Sequence, residues 1–380
     1  MSKIKNITVI GAGNGGKAMA AHLGMMGANV TLYNRTPNKL DVIRLRGGIS
    51  LESEQGELQG FGSIALATDD IRLAVEASKL IMVVIPAFGH TQIARRMAPY
   101  LTGDHIVVLN PGRTFGTLAF SQALQKSGCK SNPLLAETQT FIYASRSVGP
   151  AQAFIHRIKE AVPLAAMPST GTRQVLEVLS PYYPQFIDGK TVLHTGLNNI
   201  GAVFHPAITI ANAGRIESTG GNFDFYTDGV TPTVAKIMEA VDRERLRVGE
   251  ALGIDVISAC DWLHMAYACE GIDLHQTIHN QPGYRGIQAP GTLNHRYIKE
   301  DIPMSLVPLA SLGRYLGIKV RGMESIIRLA CIAHDIDYWK VGRTVERLGL
   351  DHLGSGEIHA LVEGRRDPHL PLEPQIPVAA

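Results

Sequence analysis

The sequence predicts an α/β domain built on a doubly wound parallel sheet, followed by a second domain of helices and polar loops. Three observations carry this. Asn6-Ile7-Thr8-Val9-Ile10 runs straight into Gly11-Ala12-Gly13-Asn14-Gly15-Gly16 and then into Lys17-Ala18-Met19-Ala20-Ala21-His22-Leu23, a stretch with helical spacing. The first half then alternates unbroken apolar runs with helical patterns, as a parallel sheet covered on both faces requires. Around Tyr182-Tyr183-Pro184-Gln185-Phe186-Ile187-Asp188-Gly189-Lys190 that alternation stops. The expected division is residues 1–188, residues 189–364 and a proline-rich, poorly ordered tail over 365–380.

In the opening element Gly11 permits a tight turn and Gly13 lets the backbone approach a pyrophosphate. Gly16 lets the following helix pack on the strand, with its N-terminus aimed at the phosphates. A dinucleotide held by Gly11, Gly13, Asn14 and Gly16 is therefore the expected ligand of a Rossmann-type domain. The second strand, Asn29-Val30-Thr31-Leu32-Tyr33, ends at Asn34-Arg35-Thr36, where an NAD enzyme would place a carboxylate for the ribose hydroxyls. A guanidinium and a hydroxyl bind a 2′-phosphate instead. Asn34, Arg35 and Thr36 thus favour NADPH, with NADH as the other option should Arg35 stay solvated or stack on adenine without discriminating.

Further strands are expected at Ile64-Ala65-Leu66-Ala67, from Ile81 to Ile85, at Ile106-Val107-Val108-Leu109-Asn110, and at Pro133-Leu134-Leu135-Ala136-Glu137. Loops at the carboxyl ends of such strands are where a ligand sits. Pro86, Asn110, Pro111 and Gly112 are accordingly assigned to the cofactor. Arg113 falls in the same loop on the nicotinamide side of the cleft and could be a surface residue instead. Glu137 and Thr138 are candidates for the substrate, although Glu137 could as well tie down its loop.

In the second half, residues 196–214 have helical spacing, and Asn198, Gly201, His205, Thr209 and Asn212 share one polar face. Pro206 returns no N–H to the carbonyl of Ala202, so the helix should kink at His205. A histidine there is well placed to transfer protons, with Asn198 on the same stripe. Thr231-Pro232 opens a scaffold helix closed by Gly253. Residues 271–294 read as a lid over the cleft; Asp273, His275 and His279 have metal-compatible spacing but no third ligand cluster, so no metal is expected. Asp301 lies just ahead of an apolar helix over Met304–Leu316, where the dipole favours a carboxylate, and Arg296 offers a fork for a substrate carboxylate. Either residue could instead be a helix cap or a surface ion pair.

The chain has 380 residues, is 45% hydrophobic and 18% charged, and carries a formal net charge of +2. Near-neutral charge without a basic run argues against nucleic acid as a partner. The longest apolar run is too short to span a bilayer. Cys129, Cys260, Cys269 and Cys331 form no C-x-x-C pair, and no leader pattern precedes the first strand, so small free thiols in a reducing cytoplasm are expected. The apolar helices of the second half suit a homodimer.

These motifs resemble the NAD(P)-dependent octopine/nopaline dehydrogenases, or opine dehydrogenases. The likeness rests on the glycine turn, Asn110-Pro111-Gly112-Arg113-Thr114-Phe115-Gly116, Ala136-Glu137-Thr138, Asn198 through His205-Pro206, Phe225-Tyr226 with Gly229-Val230-Thr231-Pro232, and Arg296-Tyr297 with Glu300-Asp301-Ile302-Pro303. It implies a Rossmann domain followed by an all-helical domain. It further implies that His205 and Asp301 are the catalytic dyad and Arg296 the keto-acid ligand. The implied activity joins an α-keto acid to the amino group of an amino acid and reduces the product. Two alternatives share the same plan, a simple NADPH-dependent 2-oxoacid or ketone reductase and a non-catalytic NADPH sensor.

Overall fold

The computed structural model describes residues 4–365 apart from 55 and 57, so the expected tail lies, Arg365 aside, outside the described residues. Twelve strands occur among the described residues: β1 (Asn6–Ile10), β2 (Asn29–Tyr33), β3 (Gly48–Ser53), β4 (Gly60–Ser63), β5 (Leu66–Thr68), β6 (Leu80–Val83), β7 (Ile106–Leu109), β8 (Leu134–Thr138), β9 (Tyr143–Gly149), β10 (Gln152–Ile158), β11 (Val162–Met167) and β12 (Phe186–Asp188). Eight of them form one sheet in the order β12-β11-β8-β7-β6-β1-β2-β5. All neighbours run parallel except β11 against β8. The strand order reverses between β1 and β6, which puts the ligand crevice at their carboxyl ends. Every residue of β6 and β7 is buried, which is why both read as unbroken apolar runs.

A second sheet, ordered β4-β3-β10-β9, was not expected from the sequence. It covers the helix Asn14–Met25, whose backbone approaches β4 so closely that a Cβ at Gly62 would lie 2.1 Å from the carbonyl oxygen of Ala21. Lys17 of that helix donates to Ser147 Oγ and to the Gly149 carbonyl, both at 2.9 Å, which ties the β9–β10 hairpin to the start of the domain.

After β12 every regular element of the described residues is helical, beginning with Val192–Leu197. The continuous helix expected over 196–214 is three pieces, Val192–Leu197, Gly201–Ala211 and Ala213–Thr219. Asparagine makes both breaks. Asn198 Nδ2 donates to the His194 carbonyl and Asn212 Nδ2 to the Ile208 carbonyl, so each side chain competes for a carbonyl four residues back. Pro206 does sit inside the middle piece. The scaffold helix forms as Pro232–Ala251, capped by Thr231.

Within 271–294 the chain forms a helix, Leu274–His279, capped by Asp273, and His279 bonds to the carbonyls of His275 and Thr227. These residues are spent on local structure, and the described residues hold no cluster able to bind a metal ion. The four cysteines are free thiols, with Cys269 buried. No helix of the described residues is long and apolar enough to cross a membrane.

Candidate active site

The glycine turn after β1 fits a dinucleotide. Gly11 has φ +116°, and a Cβ there would lie 2.4 Å from the Val84 carbonyl oxygen; a Cβ at Gly16 would lie 1.7 Å from the Gly11 carbonyl oxygen. Both positions exclude any side chain. Around Gly13, by contrast, nothing lies within 4 Å of a built Cβ, which leaves room for a pyrophosphate over the helix N-terminus. Asn14 is the first residue of that helix, and its side chain accepts from the Ser147 amide.

At the end of β2, Asn34 Oδ1 accepts from the Ala12 amide at 3.1 Å and its Nδ2 donates to the Thr36 carbonyl, so Asn34 shapes the turn. Arg35 and Thr36 are exposed, and Arg35 Nη1 donates to Gln92 at 2.7 Å. Across the sheet, Pro86 leads into the turn Ala87–Gly89. Asn110 is buried, its Nδ2 donating to the Val108 carbonyl while Oδ1 has no partner. After Pro111, a Cβ on Gly112 would lie 2.5 Å from the Glu137 carboxylate.

Glu137 is fully buried and does not face the cleft. Its Oε2 accepts from the Thr117 amide and hydroxyl at 2.7 and 2.8 Å, and Oε1 accepts from Thr195 Oγ1 at 2.8 Å. Burial pushes its carboxyl pKa up against these bonds. Glu137 is thus the loop anchor, joining the Rossmann domain to the first helix of the second half. Thr138 is likewise buried and spends its hydroxyl on the Leu109 carbonyl. Both side chains are thus spent on the protein's own loops.

On the helical side, His205 Nδ1 lies 2.8 Å from Asp301 Oδ2. Asp301 is wholly buried; its Oδ1 lies 3.1 Å from Arg113 Nη1 and accepts from Ser305 Oγ at 3.3 Å. Asn199 Nδ2 donates to both Ser305 and Thr114. His205 stacks on Tyr297 with ring centroids 4.2 Å apart, and Tyr226 OH lies 3.3 Å from Nε2. One ring nitrogen is therefore fixed by the carboxylate and the other stands beside the Tyr226 hydroxyl.

Two expectations about this cluster need correction. Asp301 is not ahead of a free helix start: the chain is already helical over Arg296–Lys299 and continues through a π-helical turn, Ile302–Leu306, into Val307–Tyr315. What faces its charge is Arg113, a buried side chain on a residue with φ +61°. Burial penalises that guanidinium, but Asp301 and Glu300 more than offset it and hold it protonated. Glu300 in turn would be raised by burial, yet Arg113, Arg296 and the Ala87 amide bring it well below the usual carboxylate range.

The second correction concerns Asn198. Arg296 is exposed, and its Nε and Nη2 are bound to Glu300 at 3.1 and 3.0 Å, so part of its fork is engaged within the protein. Asn198 is not beside the dyad; its Oδ1 accepts from the Ile257 amide. Its neighbour Asn199 reaches Asp301 instead, through Ser305. Asn199, Ser305, Tyr226 and Glu300 were given no role from the sequence, and Arg113 was left undecided.

Residues 188–334 match the family model for NAD/NADP octopine/nopaline dehydrogenase, alpha-helical domain, and residues 6–112 match that for NAD-dependent glycerol-3-phosphate dehydrogenase N-terminus. An opine dehydrogenase of Arthrobacter sp. (strain 1C) is 36% identical over 363 residues, 96% of this chain and 100% of that protein. The chain belongs to the opine dehydrogenase family. This opine dehydrogenase family member is an NAD(P)-dependent enzyme acting on a CH–NH bond. Its fold is shared with octopine dehydrogenase solved with NADH and L-arginine, at TM-score 0.78, 19% identity and coverage of 96% and 99% of the two chains. Yersinopine dehydrogenase with NADP+ bound gives TM-score 0.74 at 16% identity, again with 96% and 99% covered.

Proposed function

We propose that this enzyme condenses an α-keto acid with the amino group of an amino acid and reduces the adduct with NADPH, giving a secondary-amine dicarboxylate, and that it also runs the reverse oxidation. The observation that carries this reading is the His205–Asp301 pair, 2.8 Å apart, with Arg113 behind it. Amine attack on the keto carbon releases a proton from nitrogen, and the keto oxygen must gain protons to leave as water. His205 Nε2 serves both needs, accepting the first proton and returning it to the departing oxygen. Asp301 orients the imidazole and stabilises imidazolium. When bound, a reduced nicotinamide supplies hydride to the resulting imine carbon. Stepwise addition of substrates tests the whole reading: NADPH should be consumed when pyruvate and an amino acid mixture are both present. Consumption with pyruvate alone would make this a simple ketone reductase, and none with any mixture would leave a sensor.

Arg35 is the proposed ligand of the NADPH 2′-phosphate, supported by its exposure at the end of β2 and the absence of a carboxylate from Asn34-Arg35-Thr36. Losing a charge-assisted contact costs about 1.5 to 3 kcal/mol, so Arg35→Ala should raise the KM for NADPH by roughly one to two orders of magnitude. The KM for NADH should move far less. Equal use of both cofactors by the parent enzyme would refute the preference.

Arg296 is proposed to meet the keto-acid carboxylate at the cleft mouth, through the half of its guanidinium that Glu300 leaves open. Arg296→Lys keeps charge but cannot bridge Glu300 and a substrate together. The KM for the keto acid should rise about tenfold or more while cofactor binding, followed by nicotinamide fluorescence, stays as in the parent. A change confined to the amino-acid KM would mean that Arg296 holds the other carboxylate.

A further inference from the structure

The chain leaving β10 carries a half-buried lysine with no carboxylate beside it. Lys159 Nζ donates to Thr140 Oγ1 at 2.6 Å and to the Phe141 carbonyl at 2.9 Å, and both acceptors are neutral. Among the described residues no carboxylate forms an ion pair with it. Burial, assisted by the nearby charge of Arg113, brings its pKa down to about 8. Ammonium groups removed from water are normally paired, because desolvation of an unpaired cation is costly. This one lacks its counter-ion.

Lys159 lines a cavity of about 880 Å³ at the base of the hairpin, walled on the helical side by Ile257, Trp262 and Tyr267 and on the other by Gln139 and Thr140. The cavity is lined by residues of both halves of the chain and connects to the site through packed aromatic side chains. Phe141, whose carbonyl holds Lys159, packs its ring where a Cβ on Gly15 of the dinucleotide turn would be 2.7 Å away. On the opposite wall Tyr267 meets Tyr284 edge-on, Tyr284 stacks on Tyr226 at 4.1 Å, and the Tyr226 hydroxyl stands 3.3 Å from His205 Nε2. The carboxylates of Glu160, Asp188, Asp255 and Asp261 belong to exposed residues at the rim. The half-buried wall beside Lys159 is aromatic and aliphatic.

We propose that Lys159 holds the α-carboxylate of the amino substrate, and that the cavity takes an amino acid whose uncharged, apolar side chain lies against Trp262 and Tyr267. The proposal rests on the condensation reading above, for it supplies the amine partner that reading requires. The substrate carboxylate becomes the missing counter-ion. Its third donor, left over after Thr140 and Phe141, is the one that would meet it.

Calorimetric titration of the NADPH-bound enzyme with L-phenylalanine, its decarboxylated analogue phenethylamine, and L-arginine tests this separately from turnover. The parent should bind phenylalanine at least tenfold more tightly than either of the others. Lys159→Met should weaken phenylalanine by ten- to a hundredfold, leave phenethylamine unchanged, and leave pyruvate and NADPH affinities as in the parent. Lys159→Arg, which keeps the charge, should recover part of the loss and guards against a folding defect in the methionine variant. Phenylalanine binding unaffected by Lys159→Met, or arginine favoured by the parent, would overturn the proposal. Lys159-dependent binding without condensation of any amino acid would refute the condensation reading and leave the carboxylate site standing. Condensation in the parent matched by Lys159→Met would do the reverse.

Discussion

Replacing His205 by alanine should lower condensation turnover by roughly two to four orders of magnitude while NADPH still binds. The size follows from what the side chain does. In the proposed reaction, proton removal from the attacking amine and proton delivery to the leaving oxygen both pass through Nε2, because Nδ1 is held by Asp301 at 2.8 Å. Alanine leaves water as the only acceptor, and Tyr226, whose buried hydroxyl has its pKa pushed well above the ordinary value, is a poor base. Folding should be nearly unaffected, since His205 is partly exposed and packs by one face on Tyr297. Single-turnover consumption of NADPH at saturating pyruvate and amino acid measures the effect. A variant within a few-fold of the parent would place the proton relay elsewhere in the cleft.

The parts of this molecule that could be read from its sequence are those whose physics is local. A strand, a glycine turn and a helix N-terminus occupy consecutive residues, so Asn6 through Leu23 spells out the dinucleotide cradle. The strands β1, β2, β6, β7 and β8 were visible because a sheet covered on both faces needs continuous apolar runs. The small sheet was not. Its strand β9 alternates half-buried and open residues, and its parallel pair β3 and β10 joins segments about a hundred residues apart. No short window of sequence contains that pairing.

The same distinction governs the site. His205 and Asp301 are 96 residues apart, so their pairing came from family likeness and not from spacing. Arg113 belongs to the Rossmann domain and finds its partners 187 and 188 positions later, which no local pattern announces. The choice of Asn198 over Asn199 failed because the helix was read as continuous, and a side-chain bond to the His194 carbonyl turns the chain at that point. The engagement of Arg296 was legible. Arg296 and Glu300 stand four apart, the spacing at which opposite charges meet on a helix. What the sequence could not show is that Glu300 is buried and shared with Arg113.

That sharing sets the second large effect. Arg113→Met should destabilise the enzyme by about 3–5 kcal/mol at neutral pH, the range seen when one member of a buried charge cluster is removed. Arg113 contacts Asp301 at 3.1 Å and Glu300 at 3.4 Å, and both carboxylates are almost wholly out of water. Methionine fills similar volume and carries the same left-handed backbone cost, so the change reports on charge. Asp301 would keep His205 and Ser305, and Glu300 would keep Arg296 and the Ala87 amide; neither set replaces a buried guanidinium. The pH dependence follows from the depressed carboxyl of Glu300. A carboxyl whose folded pKa lies below its unfolded value stabilises the fold above the unfolded pKa, and that contribution is lost as pH falls through the folded one. Without Arg113 the depression shrinks. The gap between parent and variant in chemical denaturation should therefore be widest near neutrality and narrow below about pH 4, where the unfolded carboxyl takes up its proton. Turnover should fall with stability, because Asp301 without its cation no longer fixes the histidine, and Arg113→Lys should recover part of both by restoring charge to one carboxylate at a time. An Arg113→Met enzyme as stable as the parent at pH 7 would show that these two carboxylates are satisfied without it.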